Sequence, residues 1–135
     1  MVFWQLTVDA NDPGLLARFW SRALGYRPAP PGGTGETWWA HYRRRLGGDA
    51  AFEDRLFDPV GHGPALWFQQ VPESKAGKNR LHLDLAPDDQ PAEIERLVDM
   101  GARHVDIGQP AGAGWMVLAD PEGNEFCVLP AQRSE

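Results

Sequence analysis

The sequence has little with which to build a cross-link, a membrane span or a nucleic-acid surface. Cys127 is the single cysteine among 135 residues, so no internal disulfide can form. That fits a reducing, cytoplasmic setting. No stretch approaches the roughly 20 apolar residues that a membrane helix needs, so no membrane partner is expected. The opening residues Met1-Val2-Phe3-Trp4 lack a basic segment and a cleavage signature, so no signal peptide is expected either. Acidic side chains outnumber basic ones by 19 to 13, and the formal net charge is −6. A phosphate backbone needs a basic surface, which argues against a nucleic-acid partner. The one basic run, Arg43-Arg44-Arg45, is short and reads as a solvated strand end or loop before it reads as a phosphate clamp. Dinucleotide-binding, P-loop, zinc-protease and serine-hydrolase motifs are all missing. Gly32-Gly33-Thr34-Gly35 precedes no evident helix and reads as a flexible loop.

What is present is enough for one compact domain. The 42% of hydrophobic residues is ordinary for a globular chain. Fifteen glycines and twelve prolines point to many turns between short elements and away from a helix bundle. The tail, residues 132–135, is the one part read as disordered.

Periodicity lays out the elements. Residues 2–9 read as a strand. Asp12 can cap a helix with Pro13 in its first turn, and Gly25 stops it. Leu15, Leu16, Phe19, Trp20, Ala23 and Leu24 recur at helical spacing between them. Residues 37–44 read as an aromatic strand with Trp38, Trp39 and Tyr42. Strands are expected near 50–56 and 65–71, around the turn signal Asp58-Pro59-Val60-Gly61. Residues 72–79 are polar and read as a linker. Residues 81–85 alternate as a strand does. Asp88-Asp89-Gln90-Pro91 opens a second helix, whose face is Ile94, Leu97, Val98 and Met100, and Gly101 ends it. Strands near 103–107, 115–119 and 125–129 follow, the last after the turn Asp120-Pro121-Glu122-Gly123.

The order is βαβββ, linker, βαβββ, which places the chain in the α+β class with mostly antiparallel pairing. The second half repeats the first. Gln5-Leu6-Thr7-Val8 aligns with His82-Leu83-Asp84-Leu85, and Gly25 with Gly101 after one residue of slippage. The two Asp-Pro-x-Gly turns correspond. The run from Trp67 to Pro72 then lies over the run from Glu125 to Pro130. The expected organisation is a single domain, 1–135, with a first module at 1–72, a linker at 73–79 and a second module at 80–135. A half of this size cannot bury its apolar face alone. The halves should pack together, or pair with halves of a second chain in a homodimer, bending mixed sheets around a cleft.

Three stretches carry a resemblance: Asn11-Asp12-Pro13 with Phe19-Trp20 and Leu24-Gly25-Tyr26, then Lys78 to Asp84, then Asp120-Pro121-Glu122-Gly123-Asn124-Glu125-Phe126. Together the sequence resembles the glyoxalase-like branch of the vicinal oxygen chelate superfamily, which includes glyoxalases, extradiol dioxygenases and bleomycin-resistance proteins. The resemblance implies four metal-ligand positions, two on the first strands and two on the last strands of the halves. They fall on Gln5 and His82, and on Gln69 and Cys127. The residues depart from the family pattern, which includes at least one carboxylate. Two neutral amides, an imidazole and a thiol suit Mg²⁺ or Mn²⁺ poorly, and the thiol favours a softer ion such as zinc. The plainer reading of Cys127 is a small buried hydrophobe. His82 is as readily a hydrogen-bonded cavity histidine as a metal ligand.

Strand parity adds Asp84, Glu125 and Thr7 to the side facing the cleft. A buried carboxylate there could serve as a general base, so Asp84 and Glu125 are the catalytic candidates. The competing place for Glu125 is the rim, capping a neighbouring backbone. Aromatic residues such as Trp67 and Trp115 suit a flat or cationic ligand. The expectation is a protein that binds a small organic ligand through Gln5, Gln69, His82, Trp67 and Trp115, without the full family metal site and with no cofactor expected. The alternatives are a lyase, isomerase or dioxygenase that uses a divalent metal, and a non-catalytic interaction domain.

Overall fold

The computed structural model describes residues 4–28 and 55–131. The expected strand at 37–44 lies outside them, as do the basic run at 43–45, the glycine loop at 32–35, residues 50–54 and the tail. The chain divides into two compact units, Met1–Ser74 and Lys75–Glu135. Among the described residues, each holds a small mixed sheet and one helix.

In the first unit, β1 (Gln5–Ala10) leads into α1 (Pro13–Leu24), and β2 (Arg55–Leu56) and β3 (Ala65–Gln70) follow. Asp12 caps α1, its carboxylate accepting from the Leu15 amide at 3.1 Å. Pro13 sits in the first turn, where its missing N–H costs nothing. Gly25 closes the helix at φ 71°, a left-handed conformation that glycine adopts without strain. Leu16, Ala17, Phe19 and Trp20 form the buried face. The Phe19 and Trp20 rings meet edge to face, 5.2 Å apart. The sheet order is β1-β3-β2, with β1 parallel to β3 and β2 antiparallel to it. Helix α1 lies against β3, over a core that includes Leu56, Phe57, Leu66 and Phe68. Burying a side chain of this size stabilises the fold by about 1.5–3 kcal/mol.

The second unit repeats the plan. Its elements are β4 (Asp84–Leu85), α2 (Gln90–Asp99), β5 (Arg103–His104), β6 (Met116–Ala119) and β7 (Glu125–Val128). Asp89 caps α2 by accepting from the Ala92 amide at 3.1 Å, and Gly101 follows the helix at φ 117°. The sheet order is β4-β7-β6-β5. Strand β4 runs parallel to β7, and the other pairs are antiparallel. Leu97, Val117, Leu118, Phe126 and Val128 are buried here.

The Asp-Pro-x-Gly turns match closely. Asp58 accepts from the Val60 amide at 3.0 Å, and Asp120 from the Glu122 amide at 2.9 Å. Gly61 and Gly123 close the turns at φ 76° and 91°.

The expected mixed sheets are present: the first and last strands of each unit run parallel and the other pairs antiparallel. Other expectations need correction. The strand expected at 81–85 is laddered only at Asp84–Leu85, and Leu81 is 83% exposed. Upstream of Leu83, the Glu125 end of β7 is engaged by side-chain contacts: its carboxylate takes the Asn79 amide. On α2, Val98 is exposed and only Leu97 is fully buried. The repeat also shifts register in its last strand. Asp84 pairs with Cys127, while Thr7, the counterpart of Asp84, pairs with Trp67. Trp67 therefore takes the place of Cys127, and Gln69 lies two residues further along. The neighbouring strands agree, since Arg55 opposes Trp67 as Val117 opposes Cys127. The cause is length: three residues separate Gly61 from β3 and one separates Gly123 from β7, so the first unit carries an insertion of two residues and not the four that would set Gln69 against Cys127.

Candidate functional site

The second unit brings three of the singled-out side chains together. Parallel pairing sets Asp84 directly beside Cys127, and paired residues project to the same face of a sheet. His82 precedes Asp84 by two residues and returns to it. Its Nδ1 lies 3.2 Å from Asp84 Oδ1 and 3.9 Å from Cys127 Sγ. The imidazole and carboxylate are 37% and 49% exposed, while Cys127 is buried.

The pair has a defined chemistry. In the neutral imidazole, an Nδ1–H donated to Asp84 leaves the Nε2 lone pair to accept a hydrogen bond or a proton. Cys127 is held in its thiol form. Burial pushes its pKa up, and Asp84 adds to the rise through its charge and a hydrogen bond, against a smaller opposing pull from Lys78.

Glu125 is engaged differently. Its Oε1 accepts from Lys75 Nζ at 2.8 Å, and its Oε2 from the Asn79 amide at 3.0 Å. Burial pushes this carboxyl up. The Lys75 ammonium and the amides of Asn79 and of Glu125 itself outweigh that, holding it below the usual range. A carboxylate so stabilised in its charged form is a poor proton acceptor at neutral pH. Segment 75–79, read from sequence as a plain linker, thus ties down the start of β7. Lys75 also donates to the Gly77 carbonyl, and Asn79 Nδ2 to Asn124 Oδ1 at 3.2 Å. Nothing in the spacing of these polar residues marks that role.

Trp115 is 37% exposed and lines an open groove of about 410 Å³ with Asp106, Gln109 and the 110–116 loop. The groove shares no lining residue with the His82 cluster. Gln90 fixes this loop to β7, since its Nε2 donates to the carbonyls of Gly114 and Val128 at 2.8 and 2.9 Å.

The remaining named residues lie in the first unit. Gln5 Nε2 donates to Thr7 Oγ1 at 3.3 Å. Gln69 is exposed on β3. The Arg55 guanidinium stacks on Trp67, 4.5 Å from the ring centroid.

A family model described as a glyoxalase-like domain matches residues 5–129. The chain belongs to the glyoxalase-like domain family. Solved structures agree on the fold of this glyoxalase-like chain. It is similar to a glyoxalase/bleomycin resistance protein/dioxygenase family enzyme from Burkholderia phytofirmans (13% identity, 95% of this chain and 97% of that one, TM-score 0.59). It is also similar to the fosfomycin resistance protein FosX from Mesorhizobium loti (15%, 98% and 95%, TM-score 0.56). A third is TnmS3, an antibiotic binding protein from a Streptomyces species (16%, 98% and 97%, TM-score 0.56). No curated protein matches the sequence.

Divalent metals are common in this family, and the donor types present decide which ion they could fit. An imidazole, a carboxylate and a thiol suit a borderline ion of the zinc type. They do not suit Mg²⁺, which wants an octahedron of oxygens. In the glyoxalase-like domain, the register shift replaces the counterpart of Cys127 by Trp67, whose indole has a donor N–H and no ligand atom.

Proposed function

We propose that this glyoxalase-like domain binds a small organic molecule, with the His82–Asp84 pair as its polar anchor. The observation that supports this is the 3.2 Å contact between His82 Nδ1 and Asp84 Oδ1, at a strand position the family uses for its ligands. Asp84 fixes the imidazole tautomer, so Nε2 presents an acceptor to a hydroxyl, amine or acidic C–H of the ligand. Gln5 and Gln69 offer neutral hydrogen-bonding groups in the first unit. The fold's likeness to an antibiotic binding protein and a fosfomycin resistance protein makes antibiotics natural first probes.

The test is calorimetric titration with a panel of small organic compounds that includes fosfomycin and bleomycin. At least one is expected to bind saturably, and His82→Ala to weaken that binding about tenfold or more, the loss of roughly 1.4 kcal/mol. Equal affinity in the wild-type and His82→Ala chains would refute the anchor. A lyase, isomerase or dioxygenase that uses a divalent metal is the second reading. It is favoured by the convergence of His82, Asp84 and Cys127 donor atoms within 4.8 Å of one another.

A further inference from the structure

We propose that Glu125 is a positioning residue for His82: by holding the Asn79 amide it sets the bend before His82 that lays the imidazole on Asp84. For its functional meaning this rests on the reading of His82 as the polar anchor of an organic ligand.

The backbone on either side of His82 is held at two points, and both lie on β7. Downstream, the Leu83 carbonyl accepts from the Cys127 amide at 2.9 Å. Upstream, the Asn79 amide donates to Glu125 Oε2 at 3.0 Å. No ladder supports the chain between them, because β4 begins at Asp84. The two holds are out of step. Asp84 pairs with Cys127 in parallel, so an extended chain running back from Asp84 would set His82 beside Glu125 and Asn79 beside Glu122. The Asn79 amide is taken by Glu125 instead, three strand positions further along. Three positions span about 10 Å, and the glutamate side chain bridges part of that. The rest is taken up before His82: Arg80 and Leu81 bend, and Leu81 turns out to 83% exposure. His82 follows directly, with its Nδ1 3.2 Å from Asp84 Oδ1. An amide drawn away from a ladder still needs an acceptor, and Glu125 supplies it from a side chain. Lys75 Nζ engages the other carboxylate oxygen at 2.8 Å. The Asn79 side chain adds a separate tie, to Asn124 Oδ1 at 3.2 Å. Without the Glu125 hold, residues 80–82 relax toward the extended path and the imidazole leaves Asp84.

The experiment reads the tautomer of His82 and needs no organic ligand. The whole chain, with ¹⁵N in its histidine rings, is followed by long-range ¹H–¹⁵N correlation at pH 8.5, well above the ordinary imidazole pKa of about 6.5. His82→Ala assigns the ring among the four histidines. In the wild-type chain the proton is expected on Nδ1, donated to Asp84. Glu125→Ala is expected to lose that signature and show the tautomer mixture of an unrestrained ring. Glu125→Gln keeps an acceptor for the Asn79 amide and is expected to keep the Nδ1 proton. Asn79→Ala keeps the amide, loses only the tie to Asn124, and is expected to keep the proton too. If Glu125→Ala does not fold, Glu125→Leu fills most of the same space without an acceptor and is expected to lose the signature. An Nδ1 proton that survives in folded Glu125→Ala or Glu125→Leu would overturn the proposal and leave His82 as the anchor. Its loss in Glu125→Gln or Asn79→Ala would also overturn it, by showing that the Lys75 ion pair or the Asn124 tie sets the ring. A wild-type ring without the Nδ1 proton would overturn the anchor as well.

Discussion

The two units share a skeleton but not a chemistry. In each, an aspartate caps the helix, a proline stands in its first turn, and an Asp-Pro-x-Gly turn returns the chain to a parallel pairing of first and last strands. At the three matched positions the side chains diverge. The first unit has Gln5, Thr7 and Trp67, and the second has His82, Asp84 and Cys127. The first set can hydrogen-bond and stack, but it cannot move a proton near neutral pH or bind an ion strongly. The second set carries an imidazole, a carboxylate and a thiol, the side-chain types on which proton transfer and soft-ion binding draw. A repeat therefore fixes where side chains project without fixing what they do, and the matched position that holds Cys127 in one unit holds Trp67 in the other.

The largest expected effect tests whether the skeletons are energetically alike. Leu66 and Phe126 are register counterparts, opposite Leu56 and Leu118, and both are buried. Phe126→Ala is expected to cost about 3–5 kcal/mol and Leu66→Ala about 2–5 kcal/mol, from lost transfer energy plus the cavity left behind. Denaturant unfolding followed by circular dichroism measures both. A cost under about 1 kcal/mol in either variant would break the equivalence of the two cores.

Much of the skeleton was legible because its signals are local. Asp12-Pro13 and Asp89-Gln90-Pro91 announce helix starts through capping and proline's missing donor, and glycine marks the stops. Strand alternation put His82 and Asp84 on one side, although the ladder begins only at Asp84. What escaped was non-local. The register of β3 depends on how many residues lie between Gly61 and Ala65, which matching residue types along the chain does not weigh. The tie between Glu125 and segment 75–79 joins residues some 46 to 50 apart, with no periodic signal. Leu81 looked like a strand residue by alternation, but a strand needs a partner, and the ladder on β7 begins only beyond it.

The next effect sharpens the comparison at the turns. Asp120 is completely buried. Besides the Glu122 amide it accepts from the Asn124 amide at 3.0 Å and from Asn124 Nδ2. Asp58 sits nearer solvent, though it serves the amides of Val60, His62 and Gly63. Removing an acceptor is most costly where water cannot replace it. Asp120→Ala is expected to cost about 3 kcal/mol and Asp58→Ala about 1 kcal/mol. Equal losses in thermal or denaturant unfolding would mean that burial does not distinguish the turns.

The smallest effect separates two ways of holding a carboxylate charged. Burial pushes Asp58 up, but the amides of Gly63, Val60 and His62, helped by the His62 charge, hold its carboxyl below its ordinary value. For Glu125 the Lys75 ammonium is the leading stabiliser against burial. Both folded values are depressed, so both groups stabilise the fold above their ordinary pKa values, about 3.9 for Asp and 4.3 for Glu. That contribution is lost as pH falls through the lower folded values. Glu125→Gln and Asp58→Asn should each be less stable than wild type at pH 7, by about 0.5–1 kcal/mol for Glu125 after solvent screening. Each gap should shrink as the medium becomes more acid than pH ~4. Salt divides them. At about 1 M the screening length falls to roughly 3 Å, so the Glu125 gap should narrow while the amide-held Asp58 gap persists. Unfolding curves at two pH values and two salt concentrations measure this directly. An equal response to salt would show that the second unit's ion pair contributes no more by charge than the first unit's turn.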